Sequence, residues 1–147
     1  MKRYVLIVMA LIVVSVTAQA RLGETVDEIA KRYGKPTMGI YAVEYIYSDY
    51  GDTQAWYEKD DIKILVVFKS GKSQYESVVK KDVTATFSQS EIKAFLDANL
   101  AGSTWSAPKE NRTATIWLRD DGGARVTLTA DQKALAVMIT QGGKKGF

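Results

Sequence analysis

The chain of 147 residues contains no cysteine and no histidine. Without cysteine it has neither a disulfide nor a thiol that could carry a lipid, so packing alone must hold the fold. Without histidine it lacks the commonest general base, every catalytic triad that uses an imidazole, and nearly every kind of zinc site. We therefore expect a protein without a metal or other cofactor, and binding is favoured over catalysis.

The first twenty residues have the order of a cleavable export signal. Two cations, Lys2 and Arg3, precede an apolar stretch over residues 4–16, and the small residues Ala18 and Ala20 close the segment. This is the pattern of a signal peptide with an A-x-A-type cleavage site. The apolar stretch of 13 residues is shorter than the roughly 20 that a membrane-spanning helix needs. We predict a signal peptide over residues 1–20, cleavage after Ala20, and no membrane insertion afterwards.

The mature chain, residues 21–147, has the size of one domain. Lys2 and Arg3 account for two of the three net positive charges, so the mature chain carries a net charge of only +1. No global positive field remains to attract a polyanion. We therefore expect no nucleic-acid partner, and we place the protein in the periplasm or outside the cell.

Two capping boxes mark the beginnings of two helices. In each box a hydroxyl side chain caps the amide three residues further on, and the glutamate at that position reaches back. Apolar residues follow at the spacing of one helix face, and a glycine ends each pattern. The boxes pair Thr25 with Glu28, for a helix over residues 25–33, and Ser88 with Glu91, for a helix over residues 89–99.

Strand-like segments separated by turn residues follow each helix. They are residues 40–47, 53–57, 62–68 and 75–80 after the first helix, and a short piece near Trp105 with residues 113–118, 124–128 and 135–140 after the second. Residues 62–68 are apolar on both faces, which predicts a central strand. The tight connections favour an α+β fold with two helices packed on an antiparallel sheet. Residues 21–84 and 85–147 are candidate sub-repeats of one helix and several strands.

An aromatic run is the strongest candidate for a binding surface. Rings with a polar tip suit a protein interface or a sugar-binding platform. Tyrosine is also a good strand residue that packs over a sheet edge or under a helix, so the alternative is a purely structural role. The run consists of Tyr41, Tyr45, Tyr47, Tyr50, Trp56 and Tyr57, with the first three predicted on one face of a strand.

Acidic side chains gather in three predicted turns. They are Asp49 and Asp52, then Glu58, Asp60 and Asp61, and finally Asp120 and Asp121. Paired carboxylates can perform acid–base chemistry or bind calcium, but aspartate is also an ordinary turn residue. We interpret these groups as turn residues, the basic pair Lys80–Lys81 as solvated charge at a strand end, and Trp105 and Trp117 as core or lid residues.

The segment from Arg21 to Pro36, with its capped helix and the sequence YGKP after it, resembles the beginning of small exported bacterial domains. It is similar to the SmpA/OmlA-type outer-membrane lipoproteins and to the β-lactamase inhibitor protein family, which has two such units in tandem. The resemblance implies a helix feeding an antiparallel sheet and a tendency to bind proteins. The chain lacks the lipid-bearing cysteine of the first group, and we expect it to belong to a separate exported bacterial family.

The sequence thus predicts an exported, non-enzymatic binding module that recognises a protein or another component of the cell envelope. The contacts are expected from the aromatic run. One alternative is a small-ligand or glycan binder that uses the same tyrosine-rich strands. The other is a hydrolase or lyase that acts through carboxylates, which would require acidic side chains to converge in a pocket.

Overall fold

The computed structural model describes residues 21–140, and the predicted signal peptide and the tail after residue 140 lie outside the described residues. Two helices and an antiparallel sheet of eight strands confirm the predicted α+β class. The helices are α1 (Val26–Tyr33) and α2 (Gln89–Ala98), and the strands are β1 (Ile40–Ala42), β2 (Thr53–Lys59), β3 (Ile62–Lys69), β4 (Lys72–Lys80), β5 (Lys109–Glu110), β6 (Ala114–Leu118), β7 (Ala124–Thr129) and β8 (Ala134–Ile139).

The strands lie in the order β1-β2-β3-β4-β8-β7-β6-β5. Each helix is followed by four strands that pair with their neighbours in the chain, and the last strand of each set meets the other at the middle of the sheet. There β4 and β8 run antiparallel, with Ser77 opposite Ala136. The order of one helix and four strands therefore occurs twice, and a single hydrogen-bonded ladder joins the two halves.

Both predicted capping boxes are present. The amide of Thr25 donates to Glu28 at 2.8 Å, and the amide of Glu28 donates to the Thr25 hydroxyl at 3.3 Å. Ser88 and Glu91 make the same pair of bonds at 2.8 and 3.2 Å. Each box satisfies two amides that a helix leaves without a partner in its first turn, which explains why both helices begin where the sequence predicts.

The core lies between the helices and one face of the sheet, here called the inner face. Helix α1 contributes Ile29 and Tyr33, and helix α2 contributes Ile92 and Phe95. They form one cluster of buried residues with the side chains of five sheet strands, namely Ala55, Tyr57, Ile62, Ile64, Val66, Phe68, Val78, Val126, Leu128, Leu135 and Val137. Each large apolar side chain that leaves water here contributes about 1.5–3 kcal/mol, so the helices are held without a covalent link.

Strand β3 is buried on both faces, as the sequence predicts. Val66 and its alternate neighbours point to the helices, whereas Leu65 and Val67 point to the opposite, outer face. Neither α1 nor α2 covers that face. The chain between β1 and β2, residues 43–52, lies there instead, with the amide of Asp52 bonded to the carbonyl of Phe68 at 2.9 Å.

The prediction of one strand over residues 40–47 is wrong beyond Ala42. Buried Gln54 accepts a hydrogen bond from the amide of Glu44 at 2.9 Å and donates to the Glu44 carboxylate at 3.1 Å. These bonds take Glu44 away from the ladder, and a short 3-10 helix over Tyr45–Tyr47 follows. Consequently the three tyrosines do not share one strand face. At the other end of the sheet, Trp105 forms only an isolated bridge to Arg119, and the outermost strand is β5.

Replacing Gly51 by alanine should destabilise the protein. A Cβ atom at this position would lie 2.2 Å from the carbonyl oxygen of Phe68 and 2.8 Å from Cγ1 of Val67. Because the nearest atom belongs to the backbone of β3, the 43–52 segment has to move, and we expect a loss of about 1–3 kcal/mol in the free energy of unfolding. Urea unfolding measures this loss.

The control is Asp52→Ala, at the neighbouring exposed residue. It should change the free energy of unfolding by less than about 0.5 kcal/mol. Equal effects of the two substitutions would contradict the close contact at Gly51.

Candidate functional site

The outer face of the sheet, on the side opposite α1 and α2, carries a continuous row of side chains. Residues directly opposite each other in neighbouring strands lie on the same face of a sheet. The register therefore aligns one row across seven strands, here called the outer row: Tyr41, Gln54, Val67, Tyr75, Met138, Arg125 and Leu118. Gln54, Val67 and Met138 of this row are buried, whereas Tyr41, Tyr75, Arg125 and Leu118 are partly exposed. The exposed part thus combines tyrosines with a guanidinium, which are residue types enriched at protein interfaces.

Three rings form a tyrosine cluster on this row, consisting of Tyr47, Tyr50 and Tyr75. The ring of Tyr50 stacks on that of Tyr75 with centroids 4.9 Å apart and an interplanar angle of 21°. Tyr47 also contacts Tyr75, with the two ring centroids 5.5 Å apart. Burial raises the pKa values of Tyr47 and Tyr75. The cluster thus fixes the 43–52 segment to the sheet, since aromatic pairs of this kind add about 0.5–1.5 kcal/mol beyond the area they bury.

Tyr75 was missed by the sequence analysis because it lies outside the aromatic run. The sequence could have placed it on the outer face, because Tyr75, Ser77 and Val79 alternate along β4 with residues of the inner face. Tyr41 reaches the same surface from the edge strand, where its hydroxyl accepts a hydrogen bond from Gln54 at 3.0 Å. Of the predicted residues, Tyr47 and Tyr50 therefore join the tyrosine cluster, and Tyr41 lies on the same face at the sheet edge.

The 3-10 helix presents an exposed pair, Tyr45 and Ile46, to solvent. Their side chains are 91% and 69% exposed, respectively. A 3-10 helix turns through three residues, so Tyr45 points away from the sheet while Tyr47 packs on the tyrosine cluster. The exposed pair is therefore an apolar projection on a segment whose base is held by stacked rings.

Trp56 and Tyr57, which are neighbours in β2, lie on opposite faces of the sheet. Trp56 lies on the outer face, where it lines a shallow groove of about 290 Å³ with Thr37, Met38, Glu58 and Lys63. Tyr57 points to the inner face, is fully buried, and has its ring 6.0 Å from that of Tyr33. The prediction of Tyr57 as a contact residue is therefore corrected: it belongs to the core, because side chains alternate between the two faces of a strand.

A second groove, of about 590 Å³, lies beside the tyrosine cluster and is here called the Arg125 groove. It is lined by Asp49, Tyr50, Gln74, Arg125, Met138, Ile139 and Thr140. Nη2 of Arg125 donates to the sulfur of Met138 at 3.1 Å, and the buried Nε has no partner among the described residues. A thioether is a weak acceptor, so the guanidinium retains capacity for a carbonyl or carboxylate group.

Two of the acidic turn residues, Asp61 and Asp121, accept hydrogen bonds from neighbouring groups of the fold. Asp121 accepts bonds from Arg119 and from the amide of Gly123, both at 2.8 Å. Asp61 accepts a bond from Lys80 at 2.9 Å, which lowers the pKa of the Asp61 carboxyl. Within residues 21–140 no three acidic side chains are placed to hold a metal ion. The arrangement in these turns matches the interpretation as turn residues.

The interpretation of Lys80 as a solvated charge at a strand end is wrong. Its side chain is only 7% exposed and lies on the inner face, where it forms ion pairs with Asp61 and with Glu91 of the second capping box. It is therefore a buried link between β4 and α2, whereas Lys81 stays half exposed and pairs with Glu58 at 3.1 Å. The two tryptophans predicted as core or lid residues, Trp105 and Trp117, pack against the core, and Trp105 donates to the carbonyl of Leu96 at 2.8 Å.

Glu76 is the only fully buried acidic side chain of the described residues, and the sequence analysis missed it. It lies on the inner face of β4, where the hydroxyl of Tyr33 is 3.5 Å and Nη1 of Arg32 is 3.9 Å from Oε2. Burial raises the pKa of the Glu76 carboxyl to about 8, although Arg32 lowers it. The sequence could have indicated its burial, because Glu76 lies two residues before Val78 and therefore on the same, apolar face of β4.

Tyr57→Phe should leave the protein at least as stable as the wild type. The buried hydroxyl of Tyr57 has no hydrogen-bond partner among residues 21–140, so its removal should raise the free energy of unfolding by up to about 1 kcal/mol. Tyr57→Ala, in contrast, should lower it by about 3–5 kcal/mol, since it opens a cavity. Urea unfolding of both variants provides the measurement, and a clear loss of stability in Tyr57→Phe would mean that the hydroxyl is bonded.

The chain matches no protein-family model, no curated protein and no solved structure. Within the described residues, neither helix has the length and apolar character needed to cross a membrane. The geometry of the outer face is therefore the basis for a functional assignment.

Proposed function

We propose that the protein is an exported, non-enzymatic binding module that recognises a protein or another component of the cell envelope through the outer face of its sheet. The observation that carries the proposal is the exposed pair, Tyr45 and Ile46, which stands in solvent beside the tyrosine cluster. Both helices pack on the inner face. On the outer side the 43–52 segment covers part of the sheet and carries the exposed pair, which is therefore available to a partner.

The exposed pair has the properties of an interface anchor. Burying apolar surface contributes roughly 25 cal/mol per Å², so covering both side chains favours association. The tyrosine cluster holds the base of the segment by stacked rings, and Asp52 bonds it to β3. An anchor that is already ordered loses less conformational entropy on binding, and more of the contact energy is retained.

The Arg125 groove supplies the polar part of such a surface. Its guanidinium lines the groove, where Nη2 donates to the sulfur of Met138, a weak acceptor. A partner that places a carbonyl or carboxylate group there would form a charge-assisted hydrogen bond, which is stronger than a neutral one. Asp49 at the groove wall would disfavour an isolated anion, so we expect the group to belong to a larger partner.

The double variant Tyr45→Ala/Ile46→Ala should lose partner capture and keep its fold. The mature protein is used to capture partners from envelope extract, these are identified by mass spectrometry, and the affinity of the purified partner is measured. Because anchors at the centre of an interface contribute 2 kcal/mol or more, we expect affinity to fall by at least about tenfold. The thermal midpoint should stay near the wild-type value, since both side chains are exposed.

The matched control is Val83→Ala, which shortens another apolar side chain that is 77% exposed but lies between β4 and α2. It should bind the partner like the wild type. If Val83→Ala and Tyr45→Ala/Ile46→Ala have the same effect, or neither changes the affinity, the outer face is not the binding surface.

A small-ligand or glycan binder is the second candidate, and the Trp56 groove favours it. The indole of Trp56 lies beside the apolar side chain of Met38, with the charged Glu58 and Lys63 at the same groove. An aromatic face with polar groups at its margin is a common platform for a sugar ring.

On a glycan array, the wild-type protein should bind at least one glycan if this second candidate holds. Trp56→Ala should abolish the signal because the stacking face is lost, whereas Trp56→Phe should retain part of it. Absence of any signal from the folded wild-type protein would rule out this function for the glycans present.

A further inference from the structure

The backbone amide of Arg21 points into the core. It donates a hydrogen bond to Oε1 of Glu76 at 3.3 Å, and the side chain of Glu76 is fully buried. Arg21 is also the residue that follows the predicted cleavage site after Ala20. The atom that would become the new amino terminus therefore already lies against the buried carboxylate.

We propose that removal of the signal peptide creates an ion pair between the α-ammonium of Arg21 and the carboxylate of Glu76, so that maturation itself stabilises the fold. The inference rests on the proposed export and is independent of any partner. It assigns a role to a buried acid that the proposed binding surface does not use.

The chemistry requires only a leader peptidase and water. Hydrolysis breaks the bond between the carbonyl carbon of Ala20 and the nitrogen of Arg21. Water adds a hydroxyl to the carbonyl carbon, which becomes a carboxylate, and the nitrogen becomes an amine that gains protons. Because an α-amino group has a pKa of about 7.7–8.0, it carries a positive charge at neutral pH. A neutral donor of one hydrogen bond is thus replaced by a cation with three donors.

The segment around Arg21 is already held in place. The hydroxyl of Ser73 donates to the carbonyl of Arg21 at 3.1 Å, and the amide of Gly23 donates to the carbonyl of Ser73 at 2.8 Å. The amide of Leu22 donates to Asn99 of the other half at 3.3 Å. The new ammonium would therefore lose little additional freedom on pairing, which is the condition under which an ion pair gives a net gain.

The existing charges near Glu76 leave room for a cation. From α1, Arg32 and Tyr33 face the carboxylate, and Arg32 also forms an ion pair with Glu24. From β2, Tyr57 faces it with a hydroxyl that has no partner among the described residues. Arg32 thus divides its charge between two carboxylates. A buried charge that is not fully compensated lowers stability.

The pH dependence follows from the position of the proton. While the nitrogen of Arg21 is an amide, burial raises the pKa of Glu76 from 4.5 to about 8. The folded state then binds the proton more tightly than the unfolded state, so stability falls as pH rises from about 4.5 to about 8. An ammonium at the same position lowers the pKa of Glu76, and this loss of stability becomes smaller below the pKa of the amine.

The test is a double-mutant cycle with two amino termini and two side chains. One protein begins at Arg21 with a free amine, and the other keeps Ala20, which retains the Arg21 amide and moves the charge one residue away. Both contain every described helix and strand, and each is made with Glu76 and as Glu76→Gln. At pH 6.5, urea unfolding should show a folding equilibrium constant at least about tenfold higher for the Arg21 terminus in the Glu76 pair. In the Glu76→Gln pair the ratio should be within about twofold.

An equal ratio in both pairs, or no difference between the two termini with Glu76, would overturn the proposal. A second measurement does not require the Gln variant to fold. Carbon-13 NMR titration of the Glu76 carboxyl should give a pKa lower by at least about one pH unit in the protein that begins at Arg21. Identical titration curves would also overturn it.

The site of cleavage is checked on the full chain. After expression in a bacterial host, mass spectrometry of the exported product should show Arg21 as its first residue. A product that keeps the leader, or that begins at another residue, contradicts the proposal. None of these measurements uses a binding partner, so their failure is distinct from a failure of capture by the outer face.

Discussion

Burial of both helices on one face of a single sheet is the interaction on which the rest of this protein depends. The chain has no cysteine with which to make a disulfide, so the apolar contacts of Ile29, Tyr33, Ile92 and Phe95 with the inner face must offset the entropy of ordering the chain. Because two helices of 8 and 10 residues are too short to be stable alone, they form only where the sheet supports them. The pairing of β4 with β8 joins the two halves and extends that support under both helices.

The same arrangement explains why the outer face has its character. With both helices on the inner face, Leu65 and Val67 need another cover, and the 43–52 segment provides it by stacking Tyr47 and Tyr50 on Tyr75. Covering the sheet in this way uses the inward rings of the segment and leaves Tyr45 and Ile46 in solvent. A structural requirement thus produces an ordered apolar projection, which is the feature that the proposed binding function uses. Glu76 is a second consequence, since the strand that joins the halves also brings an acid beneath α1.

Local signals were sufficient for the elements whose stability is local. The capping boxes at Thr25 and Ser88 place both helices to within one residue, because the bonds that begin a helix involve residues close in sequence. Alternation placed β3 correctly and marked its two apolar faces. The prediction failed at residues 43–47, where the amide of Glu44 bonds to Gln54 across the sheet edge. It failed at Lys80 as well, whose partners Asp61 and Glu91 come from different elements.

By itself, the sequence determined the class of the fold, the beginnings of the helices, the burial of β3 on both faces and the signal that predicts export. It also contained the tyrosines of the candidate site, although it could not separate Tyr57, in the core, from Trp56, on the outer face. Only the tertiary structure decided which rings meet, that Tyr75 joins them, and that the amide of Arg21 lies against Glu76. The physical reason is the separation along the chain of the residues that interact. A cap or an alternating pattern is set by neighbours along the chain, whereas the face that a side chain covers depends on strands that pair across the whole sheet.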